Sequence, residues 1–224
     1  MKKAVAFLDG ENFYHKLDEF GELRPWYLDW SKFMKKICPP ENDLVRLYYY
    51  KSEKINSYDF SRQIPRRVTL LPTETAETRK ERAHQWYNQR LADHHKQLAD
   101  YETNIAQKYA SIEIKKVGTL KIDPWNEDVL GEKGLDVGLA VDMLDFSSLA
   151  DTEILISGDA DYSPAVKWVK SKLKKVYLVR FYSGPPPRTK GTGADLLTYA
   201  DETIDLYEEE LWQDVQPIFK SRRR

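Results

Sequence analysis

A single cysteine, Cys38, stands in a chain of 224 residues. It excludes an internal disulfide and a cysteine-built zinc site, and it suits a reducing cytoplasm. No apolar run approaches the roughly 20 residues needed to cross a bilayer, so no membrane span is expected. The opening MKKAVAFLDGEN starts like a secretory leader, but its apolar stretch is short and runs straight into Asp9, which reads as a first strand. Histidine is scarce. His15, His84, His94 and His95 fall outside every motif described below and are expected to be structural or surface residues. No internal repeat and no low-complexity tract is present. Hydrophobic content of 41% is slightly below the globular norm and charged content of 32% is above it. The length fits one α/β domain with a long insertion, its core enclosed by a heavily charged surface.

A net charge of −1 conceals strong segregation. From Asp161 to Gly193 the basic residues are Lys167, Lys170, Lys172, Lys174, Lys175, Arg180, Arg188 and Lys190, and Asp161 is the only acid. From Ala194 to Asp214 there are acids and no base, and the chain ends in Lys-Ser-Arg-Arg-Arg. A basic block beside an acidic site is what a phosphate-backbone binder presents. The alternative is a solvated face paired with the acidic segment.

Apolar periodicity alternates between the two regular structures. Lys3–Leu8, Leu44–Tyr50, Ile112–Val117, Glu153–Ser157 and Val176–Phe181 read as strands. Asn12–Phe20, Trp30–Ile37, Leu135–Phe146 and Pro164–Leu173 read as helices, and Gly184–Gly193 as a loop. Thr78 with Glu81 suggests a capping box opening one long amphipathic helix over Thr78–Tyr109. That helix packs on the domain, or serves as a substrate-facing arm or a homodimer contact. Strands alternating with helices predict a parallel sheet covered on both faces.

Three stretches then deliver carboxylates to one place. AVAFLDGEN ends a strand at Asp9, ILISGDADYSP ends another at Asp159 with Asp161 behind it, and EKGLDVGLAVDML puts Asp136 in a first helical turn. In an open parallel sheet, ligands bind beyond the carboxyl ends of the strands, where strand order reverses. If the first and fourth strands flank that reversal, Asp9 and Asp159 face each other across it. Singly, each acid could be an ordinary helix or turn cap. Together, acids at the ends of buried strands repel one another unless a cation sits between them, and a divalent metal is the usual one.

The combination FLDGEN, KGLDVGLAVDM, LISGDADYSPAVKWVK, KVYLV and GADLLTYADETIDL resembles the NYN domain of the LabA-like group, within the PIN-like nuclease superfamily. The resemblance implies a three-layer α/β/α sandwich around a mainly parallel sheet, as one domain over residues 1–214. A helical insertion at about 74–110 and a basic tail at 215–224 complete the expected layout. It implies a metal-dependent ribonuclease, with Asp9, Asp136, Asp159 and Asp161 as catalytic residues and ligands of Mg²⁺ or Mn²⁺. Asn12, Ser157 and Lys133 match positions near that site. Phosphodiester hydrolysis needs an activated water and a stabilised leaving oxygen, which one or two ions can provide. Asp9 and Asp159 are expected to bind directly, Asp136 and Asp161 through water or as a base. RNA is the expected partner, its phosphates meeting Lys167, Lys170, Arg180, Arg188 and Lys190, and its bases stacking on Tyr14, Trp26, Tyr27, Tyr162 or Tyr182. A weakly catalytic RNA-binding regulator, the nuclease of a toxin or defence system, and a phosphatase are the competing readings. For the last, Glu11 is a poor second acid after Asp9.

Overall fold

A computed structural model describes every residue except 22, 63, 66, 67, 69–73, 184–193, 223 and 224. The expected loop at Gly184–Gly193, with Arg188 and Lys190, therefore lies outside the described residues. The elements run β1 (Lys2–Asp9), α1 (Gly10–Glu19), α2 (Trp30–Ile37), β2 (Asn42–Lys51), β3 (Lys54–Ile55), α3 (Ala76–Tyr101), β4 (Ile112–Lys116), β5 (Thr119–Asp123), β6 (Asp128–Lys133), α4 (Leu135–Phe146), β7 (Thr152–Ile156), α5 (Ser163–Ser171), β8 (Lys175–Tyr182), α6 (Ala194–Tyr199), β9 (Glu202–Tyr207) and α7 (Glu208–Gln213).

Six strands form one sheet in the order β4-β2-β1-β7-β8-β9, every neighbouring pair parallel. The near-continuous apolar runs in β1 and β7 follow from this position, since central parallel strands are buried on both faces. One face packs Phe13 and Leu17 of α1, Trp30 and Phe33 of α2, and Leu211 of α7. The other packs Leu139 and Met143 of α4, Val166 and Val169 of α5, and Leu196 of α6. This is the expected three-layer α/β/α sandwich. From β1 the chain works outward to β2 and β4, then returns to β7 on the opposite side of β1. The reversal therefore lies between β1 and β7, with Leu8 paired to Ile156, so the residues that follow both strands emerge side by side.

The fold departs from the sequence expectation in several places, among them the sixth strand of the main sheet, β9, which the apolar pattern did not mark. The insertion is more than a helix: β3, β5 and β6 make a second, three-stranded sheet. In β6 most residues are exposed, so it carries no burial alternation to mark it as a strand. The long helix begins earlier and ends earlier than its apolar spacing suggests. Its capping box joins Thr75 to Thr78 rather than Thr78 to Glu81, and after Tyr101 it widens into a π turn over Glu102–Ala106. Tyr101 and Ile105 are fully buried in the main core, which anchors that end of the helix. Near its start, Ala83 packs with Trp125 against the second sheet. The C-terminal segment is also attached: Phe219 stacks on Tyr27 with ring centres 4.6 Å apart, and the buried Asp214 forms an ion pair with Lys36 at 2.6 Å.

Candidate active site

Asp9 is the last residue of β1 and the N-cap of α1, where its Oδ1 accepts from the Asn12 amide at 3.0 Å. A cap explains one oxygen only. The other, Oδ2, accepts from the Ser157 hydroxyl at 3.1 Å and from the Tyr162 hydroxyl at 3.3 Å. Tyr162 also reaches Asp136 Oδ1, at 3.2 Å. Asp136 arrives in the first turn of α4 because β6 carries the chain back to this edge. Asn12 closes the reversal from the other side, its Oδ1 accepting from the Gly158 amide at 3.2 Å. Asp159 caps the short turn over Ala160–Tyr162 by accepting from the Asp161 amide at 2.9 Å, and its own amide donates to Ser157 Oγ. Ser157 thus relays from the Asp159 backbone to the Asp9 carboxylate.

The electrostatics are unbalanced. A tyrosine hydroxyl has one proton to donate, yet Tyr162 lies between two carboxylates. With both ionised, one contact would set oxygen lone pairs against each other, so the arrangement calls for a proton or a cation. Burial pushes the Asp9 carboxyl above its usual range, and the Asp136 charge adds to this. Burial likewise raises Asp136, with Asp159 and Asp161 contributing by repulsion. The Tyr162 hydroxyl is itself driven well up by burial and by both acids. Among the described residues no lysine or arginine forms an ion pair with Asp9, Asp136, Asp159 or Asp161. The donor set fits a hard divalent cation. Among those residues no group of three or more acidic or histidine side chains is drawn together closely enough to hold an ion by itself.

Beside this cluster lies a second group that the sequence patterns did not single out. Lys51, at the end of β2, is 2% exposed, with Nζ 3.2 Å from Glu11 Oε2 and 5.3 Å from the centre of the Tyr101 ring. Burial lowers its pKa, but Tyr101, Glu11 and Glu132 outweigh burial and raise it above the usual lysine range, so the ammonium stays charged. Glu132, hydrogen-bonded by Ser52, is pushed up to about 7 by burial, with repulsion from Glu11 and Asp9 adding to it. Glu11 and Glu132 each sit within or directly before a motif, at positions whose meaning depends on where β2 ends.

Several expected contacts turn out otherwise. Tyr162 and Tyr182 are buried rather than open for base stacking, and Tyr182 stacks on Tyr207 instead. Lys170 pairs with Asp201 at 2.9 Å, and Arg180 makes a two-pronged contact with Asp205 at 2.7 and 2.8 Å. The acidic segment therefore neutralises these two cations, because β9 lies beside β8. Lys167 is exposed above the Tyr199 ring, and Lys133 is exposed at the end of β6.

A doubly wound parallel sheet with a carboxylate cluster at its switch point defines an α/β protein whose acids stand where open sheets of this kind bind their ligands. The chain belongs to the NYN domain family, whose model matches residues 3–208. NYN domains are generally nucleases of the PIN-like fold. No curated protein matches the chain. Among solved structures it is similar in fold to a protein of unknown function from Vibrio parahaemolyticus, with 16% identity, a TM-score of 0.50 and coverage of 92% of this chain and 93% of that one.

Proposed function

We propose that this chain is a metal-dependent ribonuclease of the LabA-like group, hydrolysing RNA phosphodiester bonds at the Asp9–Asp136–Asp159 cluster. The single observation that carries the reading is the Tyr162 hydroxyl shared by Asp9 and Asp136, an arrangement of negative charge that asks for a cation. Asp9, Asp136, Asp159 and Asp161 would hold Mg²⁺ or Mn²⁺ between them, one or two directly and the others through bound water. The bound ion supplies Lewis-acid polarisation of a phosphate oxygen and a more acidic water. The chain's own groups do the rest. Asn12 and Ser157 fix both oxygens of Asp9, so its lone pairs are aimed before any ligand arrives. Tyr162 ties the β1 acid to the α4 acid. Lys133 and Lys167, both exposed, would meet backbone phosphates. The single cysteine suits action in the cytoplasm.

The test is cleavage of an end-labelled RNA with Mn²⁺. The wild-type chain cuts, while Asp9→Asn, folded by circular dichroism, gives background cleavage and still binds RNA. Full activity in Asp9→Asn would remove the site assignment. Binding without metal-stimulated cleavage in the wild type would make the chain an RNA-binding regulator instead.

A further inference from the structure

Helix α4 is apolar on two opposite faces, and the sheet covers one of them. Leu135, Leu139 and Met143 are buried in the core. On the opposite side Val137 is 66% exposed and Val141 48% exposed. Helices α1 and α2 instead turn polar side chains outward, His15, Asp18 and Glu19 on the first, Ser31, Lys32 and Lys35 on the second. A helix that is apolar all round is normally enclosed. Valine is also a weaker helix former than the residues usual on a solvent face, because its branched Cβ is restricted against the preceding turn. The two valines therefore serve neither the core nor the helix itself. The charges that bracket them are equally out of place. Four residues before Val137 and four after Val141 stand Lys133 and Asp145, both exposed. Neither forms an ion pair among the described residues. Lys133 lies just before the start of α4 and Asp145 in its last turn. Both oppose the helix dipole, which favours acids at the start of a helix and bases at its end.

We infer that the outer face of α4 is the contact surface of a weak homodimer, in which the α4 helices of two copies cross antiparallel about a two-fold axis. Such a contact is self-complementary: each residue i meets residue j of the other copy, and j meets i. With the axis midway between Val137 and Val141, each Val137 packs on Val141 of the second copy. The next positions outward then set each Lys133 against Asp145 of the second copy. The valines lose their exposure, and each misplaced charge gains a partner of opposite sign. A stripe of about three turns falls short of a standard interface, which puts the dimer in the weak, concentration-dependent class. At the dilution of a binding assay the chain is then monomeric, and Lys133 is free for a phosphate. The inference needs nothing from the ribonuclease reading.

The test is sedimentation equilibrium of the full-length protein from about 1 µM to about 1 mM, the span over which a weak complex assembles. The expected result is monomer at the low end and a growing share of dimer at the high end. Val141→Glu, a change at an exposed position, should weaken self-association by about tenfold or more and leave the circular dichroism spectrum as it is in the wild type. Val137→Glu gives the same reading at the other valine. Lys133→Glu and Asp145→Lys should each weaken it similarly, because each change sets like charges against one another at both ends of the contact. Mixed in equal amounts, those two variants should regain a dimer close to wild-type strength, since each reversed charge then meets its opposite on the other variant. A wild type still monomeric at about 1 mM, self-association undiminished in both valine variants, or a mixture that associates no better than its separate components would overturn the contact.

Discussion

Tyr162 carries one proton and touches two carboxylates, and much of the site's behaviour follows from that. Its hydrogen bond lowers the Asp9 pKa against the rise caused by burial. Tyr162→Phe therefore raises Asp9 further, and the acid limb of the pH–activity profile moves to higher pH. Cleavage should fall by about 10- to 100-fold, the usual effect of removing a group that orients a metal ligand. A purely structural tyrosine would lower stability without moving the acid limb. The identity of Asp9, Asp136, Asp159 and Asp161 as candidate site residues was legible in the sequence, because each ends or begins an element in a recognisable motif. The role of Tyr162 was not. Next to Asp161 in an apparent loop it looked like a surface ring, and only the short turn capped by Asp159 swings it beneath the two acids.

At the scale of an element, β7 contains its own titration. Glu153 is fully buried, neither carboxylate oxygen has a hydrogen-bond partner, and burial pushes its pKa up to about 8 from an ordinary 4.5, with Lys174 pulling only weakly the other way. The folded state therefore holds this proton more tightly than the unfolded chain does. Stability from this group is intact below pH 4.5, declines as pH rises because only the unfolded chain releases the proton, and levels off above about 8. Glu153→Gln should stabilise the fold at pH 7 by on the order of 1–3 kcal/mol and flatten that decline. Urea titrations at pH 5 and pH 8 measure both effects. A variant as pH-sensitive as the parent would show that Glu153 is ionised and solvated. The strands with strong apolar runs, β1, β2, β4, β7 and β8, were readable along with α1, α2, α4 and α5. The missed strands are those where burial gives little signal: β6 lies mostly exposed, and β9 alternates Ile204 and Leu206 with acids that read as a charged segment.

Across the whole molecule, the basic block and the acidic segment largely cancel. Lys170 with Asp201 and Arg180 with Asp205 hold β8, α5 and β9 together. The cations left for RNA on the described surface near the site are few, Lys133 and Lys167 among them. Salt dependence of RNA binding distinguishes the two groups. Lys133→Ala should reduce the slope of log K against log salt by about 0.7, the value per neutralised phosphate on a single strand. Arg180→Ala should leave the slope unchanged and lower the melting temperature. The reverse pattern would return β8 to the RNA surface. The switch point between β1 and β7 was the part of the architecture that sequence reasoning placed, because apolar strands ending in aspartate mark the carboxyl edge of a parallel sheet. The second sheet was not: β5 and β6 pair as a local hairpin whose exposed β6 shows no alternation, and the two-residue β3 joins it from the far side of α3.

Anomalous diffraction from crystals soaked in Mn²⁺ bears most directly on the central claim. The account predicts a peak beside Asp9 and Asp136, within reach of Asp159, that is absent from Asp9→Asn crystals. A saturated soak with no peak there, or with a peak elsewhere that survives in Asp9→Asn, would contradict it.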